Sequence, residues 1–97
     1  MFTMNTHKLL EAIALYRHEL EALQAKRVRH PLEQPLPENG RREAALNHCY
    51  QMLDQMDIFI AEKRLDKFFR WLGFIQGAMW ALGLHTVAEL KEHNKPA

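Results

Sequence analysis

The sequence predicts an all-α fold, and three observations carry that expectation. Apolar residues recur at alternating spacings of three and four in three separate stretches, as one face of a helix requires. No segment sustains the two-residue alternation of a half-buried strand. The interruptions fall where helical geometry is disfavoured, at Pro31 to Pro37, near Lys63 and Arg64, and at Gly83. A chain of 97 residues, 47% of them apolar, is expected to form a single domain spanning 1–97. Its predicted parts are an N-terminal helix within 1–30, a Pro-rich connection at 31–39, and a helical hairpin with a short C-terminal helix at 40–97. Two long antiparallel helices flanked by short terminal ones, assembling as a homo-oligomer, is the expected architecture.

The first helix can start at Asn5 or Thr6, either of which suits an N-cap. Leu9, Ile13, Tyr16, Leu20 and Leu23 then form one stripe, with Glu11, His18, Glu21 and Gln24 between them. Its last turn is expected to gather Lys26, Arg27, Arg29 and His30, where positive charge complements the carbonyl end of the helix dipole. Pro31 then ends it. Pro31, Pro35 and Pro37 predict a stiff, extended spacer whose Leu32 and Leu36 can be pinned against a core, before the Asn39-Gly40 turn.

The second helix is predicted over about 40–62. Ala45, Cys49, Met52, Met56 and Phe59 form one stripe and Leu46, Leu53 and Ile60 widen it, so this helix should touch more than one neighbour. A kink or tight turn is expected at Lys63 and Arg64, with Asp66 as a cap for the third helix. That helix carries Leu65, Phe68, Leu72, Ile75, Met79 and Leu82 on one stripe, and Phe69, Gly73, Gln76, Trp80 and Gly83 on another. Gly83 reads as a left-handed stop. Thr86 and Glu89 then form a capping box, opening a short helix that Pro96 terminates.

Composition narrows the function. A formal net charge of +1 argues against a generic binder of nucleic acid or membrane surfaces, so any anion site must be local. A lone Cys49 excludes an internal disulfide framework and agrees with a reducing compartment. The first residues show no secretory signal pattern. The apolar run from Trp71 to Leu84 covers about 14 residues, short of the ~20 that a spanning helix needs. A soluble intracellular protein is the expectation.

Enzymatic chemistry finds little material. His7, His18, His30, His48, His85 and His93 are many for this length, yet none pairs with a second ligand at zinc-site spacing. Cys49 lies on an apolar stripe, the usual place of an inert core thiol. No nucleophile elbow, Walker loop or dinucleotide-binding turn occurs, and Asp54 with Asp57 reads as a solvated helix edge. Neither a catalytic residue, nor a metal, nor a cofactor is expected.

Anion binding has better material. Arg41 and Arg42 stand at the start of the second helix, where exposed amides disfavour cations unless an anion sits there; solvent-exposed arginines are the alternative. Lys63, Arg64, Lys67 and Arg70 lead into Trp71, and guanidinium beside indole is what a phosphorylated purine needs. Against this, Trp71 can be core and Arg70 can pair with Asp66 one turn back. These readings stay open. Gly73, Gly77 and Ala81 share one helix side, and each interior glycine costs a helix roughly 1 kcal/mol, so something is expected to approach the backbone closely there. A second copy of the chain, another helix and a flat ligand are the candidates. Gln76 is expected beside them, where it needs a polar partner.

The stretch Asp66-Lys67-Phe68-Phe69-Arg70-Trp71-Leu72-Gly73-Phe74-Ile75-Gln76-Gly77, with Trp80, Leu82-Gly83 and Thr86-Val87-Ala88-Glu89-Leu90, resembles the phage anti-CBASS cyclic-oligonucleotide sponges. Met52 to Asp57 and Phe59 to Glu62 extend the resemblance upstream, while the N-terminal third is similar in layout only. The resemblance implies a helical hexamer in the host bacterial cytoplasm. It would sequester cyclic di- and trinucleotide messengers, such as cGAMP, without cleaving them, in evasion of a nucleotide-triggered defence. It also implies that Arg70 serves the trinucleotide site. The family's dinucleotide pocket draws on an N-terminal aromatic and on basic and hydroxyl residues of the connection, for which Tyr16, Lys26 and Arg29 are the nearest candidates. No Ser or Thr occurs between Thr6 and Thr86, so the hydroxyl contact is missing, and Lys63 stands where relatives usually have glycine. A non-enzymatic helical adaptor that binds a host or phage protein through the same apolar face is the alternative function.

Overall fold

Leu9, Ile13, Tyr16 and Leu20 are at most 1% exposed, so the predicted first stripe is a buried helix face. In the computed structural model, which describes residues 6–95, this face belongs to helix α1 (Thr6–Ala22). Helices α2 (Arg41–Ala61), α3 (Leu65–Ala81) and α4 (Val87–His93) follow, and no strand occurs among the described residues. Helix α2 lies between α1 and α3 and packs on both. Leu53, Met56 and Phe59, drawn from both of its stripes, are almost fully buried. Phe68, Leu72, Ile75 and Met79 of α3 complete the core. None of the described helices is long and apolar enough to cross a membrane. Asn5 and Pro96, named above as a cap and a terminator, lie outside the described residues.

The first helix is shorter than the sequence predicts. It ends at Ala22, not near His30, and Leu23 is 41% exposed. Gln24 takes a left-handed conformation (φ 62°), with Ala25 N–H donating to Leu20 O at 3.0 Å and Gln24 N–H to Glu21 O at 2.9 Å. That is a Schellman stop made without glycine. The reason for the early stop is tertiary. Lys26 N–H donates to Asn47 Oδ1 at 2.7 Å and His30 N–H to His48 Nδ1 at 3.1 Å, bonds that the chain could not make as helix. The basic cluster at Lys26 to His30 therefore lies in an extended strap along α2, not in a last helical turn.

The same stop recurs after α2 and α3. Lys63 (φ 59°) follows α2, with Arg64 N–H donating to Phe59 O at 2.8 Å, and Gly83 (φ 76°) follows α3, with Leu84 N–H donating to Met79 O at 2.8 Å. The expected tight turn at 63–64 and the glycine stop are both present. Asp66 is not the cap of α3; Arg64 holds that position without a side-chain hydrogen bond, and Asp66 sits in the first turn. Thr86 and Glu89 form the predicted capping box: Glu89 N–H donates to Thr86 Oγ1 at 3.2 Å and Thr86 N–H to Glu89 Oε1 at 2.8 Å. The Thr86 amide holds the Glu89 carboxyl below its ordinary range.

Candidate ligand-binding groove

A groove of about 530 Å³ runs over α2 and α3 and is partly covered by the strap. Its size lies within the ~300–1,000 Å³ of small-molecule sites. Arg29 and Leu32 enter it from the strap, His48, Gln51, Gln55 and Phe59 from α2, Arg64 from the turn, and Lys67, Arg70, Trp71 and Phe74 from α3. Helical spacing explains the α3 contribution, because Lys67, Arg70, Trp71 and Phe74 are three or four apart in overlapping pairs and share a side. Of the residues proposed from sequence, the structure brings Arg29, Arg70 and Trp71 together here.

The charge balance of the groove is set by what α2 does on its other side. Asp54 and Asp57, expected as a solvated edge, pair instead with cations of α1 and the strap. Arg17 Nη2 reaches Asp57 Oδ2 at 2.7 Å and Arg27 Nε reaches Asp54 Oδ2 at 2.7 Å. Arg27 also lies over the Tyr50 ring at 4.8 Å, and its guanidinium is held above its ordinary range first by the Asp54 hydrogen bond. No Asp or Glu lines the groove. Arg29 and Arg70 have no carboxylate partner among the described residues, so the expected alternative pairing of Arg70 with Asp66 is not formed. Arg64 makes only a long, exposed contact of 3.7 Å with Glu62, worth little. Arg64 and Lys67 sit over the Phe59 ring at 5.4 and 5.3 Å.

Aromatic surface accompanies that charge. Trp71 packs edge-on against Phe59, centroids 4.8 Å apart, which anchors the indole while leaving it partly exposed in the groove. Phe74 is 48% exposed and its ring lies 5.9 Å from that of His48. Cations and rings facing one opening suit a ligand with both phosphates and base faces.

Asn47 carries no expectation from sequence and His48 is weighed there only as a metal ligand, although the structure gives both a role. They interrupt the apolar stretch from Ala45 to Cys49, and a polar pair inside a core stripe signals a specific buried partner. Both are almost fully buried and hold the strap backbone. Burial pushes the His48 ring below its ordinary pKa, and Arg29 and His30 add to this. Behind His48 a smaller cavity of about 130 Å³ lies between the strap residues Leu32 and Leu36 and Ala45, Cys49, Phe74 and Ala78 of the hairpin. Burial there raises the Cys49 thiol to about 11, far from a reactive thiolate.

The other proposed site residues lie elsewhere. Tyr16 is fully buried, with its hydroxyl 2.8 Å from His93 Nδ1 and accepting from Gln76 Nε2 at 2.9 Å. Burial raises it to about 12. Gln76 also exchanges hydrogen bonds with the Asn94 side chain at 2.8 and 3.0 Å. Its expected need for a partner is thus met within the chain, because α1 and the residue after α4 supply what the helix pattern alone could not reveal. Lys26 is exposed and contributes its backbone to Asn47. Arg41 is exposed and outside the groove, while Arg42 donates to Leu82 O at 2.8 Å and so caps the end of α3. Gly73 and Gly77 are exposed, and a Cβ built on either meets nothing within 4 Å. Among the described residues no helix uses the close approach they permit. Among the described residues no group of three His, Cys, Asp or Glu is placed to hold a metal. No family model, curated protein or solved structure matches this chain.

Proposed function

We propose that this protein binds cyclic di- and trinucleotide second messengers and sequesters them without cleavage, as a phage or prophage counter-defence protein in the host bacterial cytoplasm. One observation carries this reading: Arg29, Arg64, Lys67 and Arg70 meet Trp71 and Phe74 in one groove that no carboxylate lines. Guanidinium groups take phosphate oxygens in bidentate fashion, and exposed rings take base faces. A sponge needs preorganised contacts and no nucleophile, and the fully helical framework with its anchored strap supplies preorganisation.

The groove is an open one of about 530 Å³. A cyclic ligand repeats its unit, and symmetric copies of a subunit repeat the groove, so each copy takes one part of the ring. The open glycine row supports self-association. It is flanked by Leu65, Phe69 and Trp80, which are 39%, 42% and 59% exposed. A homo-oligomer, a hexamer by the resemblance, is the assembly we propose.

That exposed α3 face also favours a second reading, a helical adaptor that docks another protein there. Calorimetry with a cyclic dinucleotide and a cyclic trinucleotide at low salt, followed by denaturation and chromatography of the released ligand, separates the two. Tight binding with intact ligand recovered is the expected result. Absence of binding favours the adaptor, and linear nucleotide in the supernatant replaces both with a phosphodiesterase. Light scattering at micromolar concentration tests assembly, and a monomer there rejects the oligomer.

A further inference from the structure

The strap fixes more than the position of His48; it fixes which of its ring nitrogens carries the proton. His30 N–H donates to His48 Nδ1 at 3.1 Å, and a nitrogen that accepts cannot also bear hydrogen in the neutral ring. Nε2 must therefore be the N–H. It has no partner among the described residues, yet it is not one of the sealed, unsatisfied side-chain atoms, which among the described residues is His85 Nδ1 alone. The small exposed part of this otherwise buried ring faces the cavities that it lines.

Gln51, one turn along α2, is oriented by a similar constraint. Its Nε2 donates to His48 O at 3.0 Å, and a backbone carbonyl can only accept, so the amide cannot be reversed. Its Oε1 is left as an acceptor in the same groove. Residues three apart on a helix share a face, and His48, Gln51 and the exposed Phe74 all line this groove, with the Phe74 ring 5.9 Å from that of His48.

We infer that His48 and Gln51 read the Hoogsteen edge of an adenine stacked on Phe74, with His48 Nε2–H donating to N7 and Gln51 Oε1 accepting from the N6 amino group. This rests on the cyclic-nucleotide reading above and adds base selectivity to it. Guanine offers acceptors at both N7 and O6, so its O6 would face the Gln51 oxygen without a proton between them. Pyrimidines lack N7 altogether. The lowered pKa of His48 keeps the ring neutral and the donor pattern constant near neutral pH.

The test compares cyclic triadenylate, cyclic triguanylate and a cyclic triadenylate built from 7-deazaadenosine, by calorimetry on the wild-type chain. Cyclic triadenylate is expected to bind roughly 10- to 100-fold more tightly than either of the others. His48→Asn keeps an acceptor for the His30 amide but has no group at the Nε2 position, so it should lose the sensitivity to the 7-deaza change. Gln51→Met should lose the discrimination between adenine and guanine. Wild-type binding of all three with equal affinity, or preference for guanine, overturns this inference and leaves the sponge reading standing. Failure of the wild type to bind any of them overturns both.

Discussion

Two faces of α3 handle polar groups in opposite ways. Under α4, Gln76 bonds both Tyr16 and Asn94, Tyr16 meets His93, and His85 Nε2 lies 2.6 Å from Glu19, so nearly every buried polar group finds a partner within the chain. In the groove, Arg29 and Arg70 line the same opening as Trp71 and Phe74, and no carboxylate lines it with them. The first arrangement is what a structural network looks like, since an unpaired buried polar group is expensive. The second leaves interaction energy unspent in the folded chain, which is how a binding site differs from a brace. It arises because Asp54 and Asp57 are consumed by Arg17 and Arg27 on the opposite side of α2. Net charge near zero thus conceals a local separation of charge.

The largest expected effect breaks the groove while sparing the brace. Arg29→Ala combined with Arg70→Ala removes two charge-assisted contacts, about 3–6 kcal/mol of ligand binding, or on the order of 10²- to 10⁴-fold in affinity for a cyclic trinucleotide. Because both side chains are exposed and unpaired, chemical denaturation should move by no more than about 0.5 kcal/mol. Calorimetry and a urea titration on the same preparation check both halves, and a large loss of stability would make these arginines structural. The converse variant is Gln76→Leu. It strands the Asn94 side chain and removes one of the two partners of the Tyr16 hydroxyl, at a cost of about 1–3 kcal/mol in stability, with ligand affinity at a temperature where the fold persists expected to be unchanged. If affinity fell with stability, the two regions would not be independent.

Acid should act on both regions at once. Burial lowers the His93 ring, with His85 adding to it, and burial lowers His48 likewise. With folded pKa values below the ordinary 6.5, the unfolded chain takes up these protons first as pH falls. Their contribution is complete above about 6.5 and declines below it, so the urea midpoint should fall as pH is lowered from neutrality. His93→Asn keeps an acceptor for Tyr16 and does not titrate, so it should flatten part of that slope. His48→Asn should flatten a further part of it. An unchanged slope in both variants assigns the acid sensitivity to other groups.

How far the fold was legible follows from the same contrast. The apolar stripes of α1, α2 and α3 and the Thr86 capping box are local signals, and the structure carries each of them. The early end of α1 was not legible, because what ends it is a pair of hydrogen bonds to Asn47 and His48, 21 and 18 residues away. Gln76 was misplaced for a related reason, since its partners come from α1 and from beyond α4. In the groove, the basic run before Trp71 was visible as adjacent residues. The entry of Arg29 and the roles of His48 and Gln51 depend on where the strap lies, which helical periodicity does not specify.

The smallest effect contrasts the turns at the two ends of α3. Both follow the same Schellman geometry, but the one beside the groove uses Lys63 and the one leading to α4 uses Gly83. A side chain in the left-handed region costs roughly 1–2 kcal/mol, against roughly 0.5–1 kcal/mol of extra chain entropy that a glycine loses on folding. Lys63→Gly should therefore stabilise the chain by about 0.5–1 kcal/mol. Lys63 does not line the groove, so ligand affinity should hold. Urea titration of Lys63→Gly beside Gly83→Ala checks the pair, with a gain expected for the first and a loss for the second. A loss on introducing glycine at 63 would mean that the lysine side chain contributes contacts which outweigh its backbone strain, and the groove-side turn would then be a structural brace in its own right.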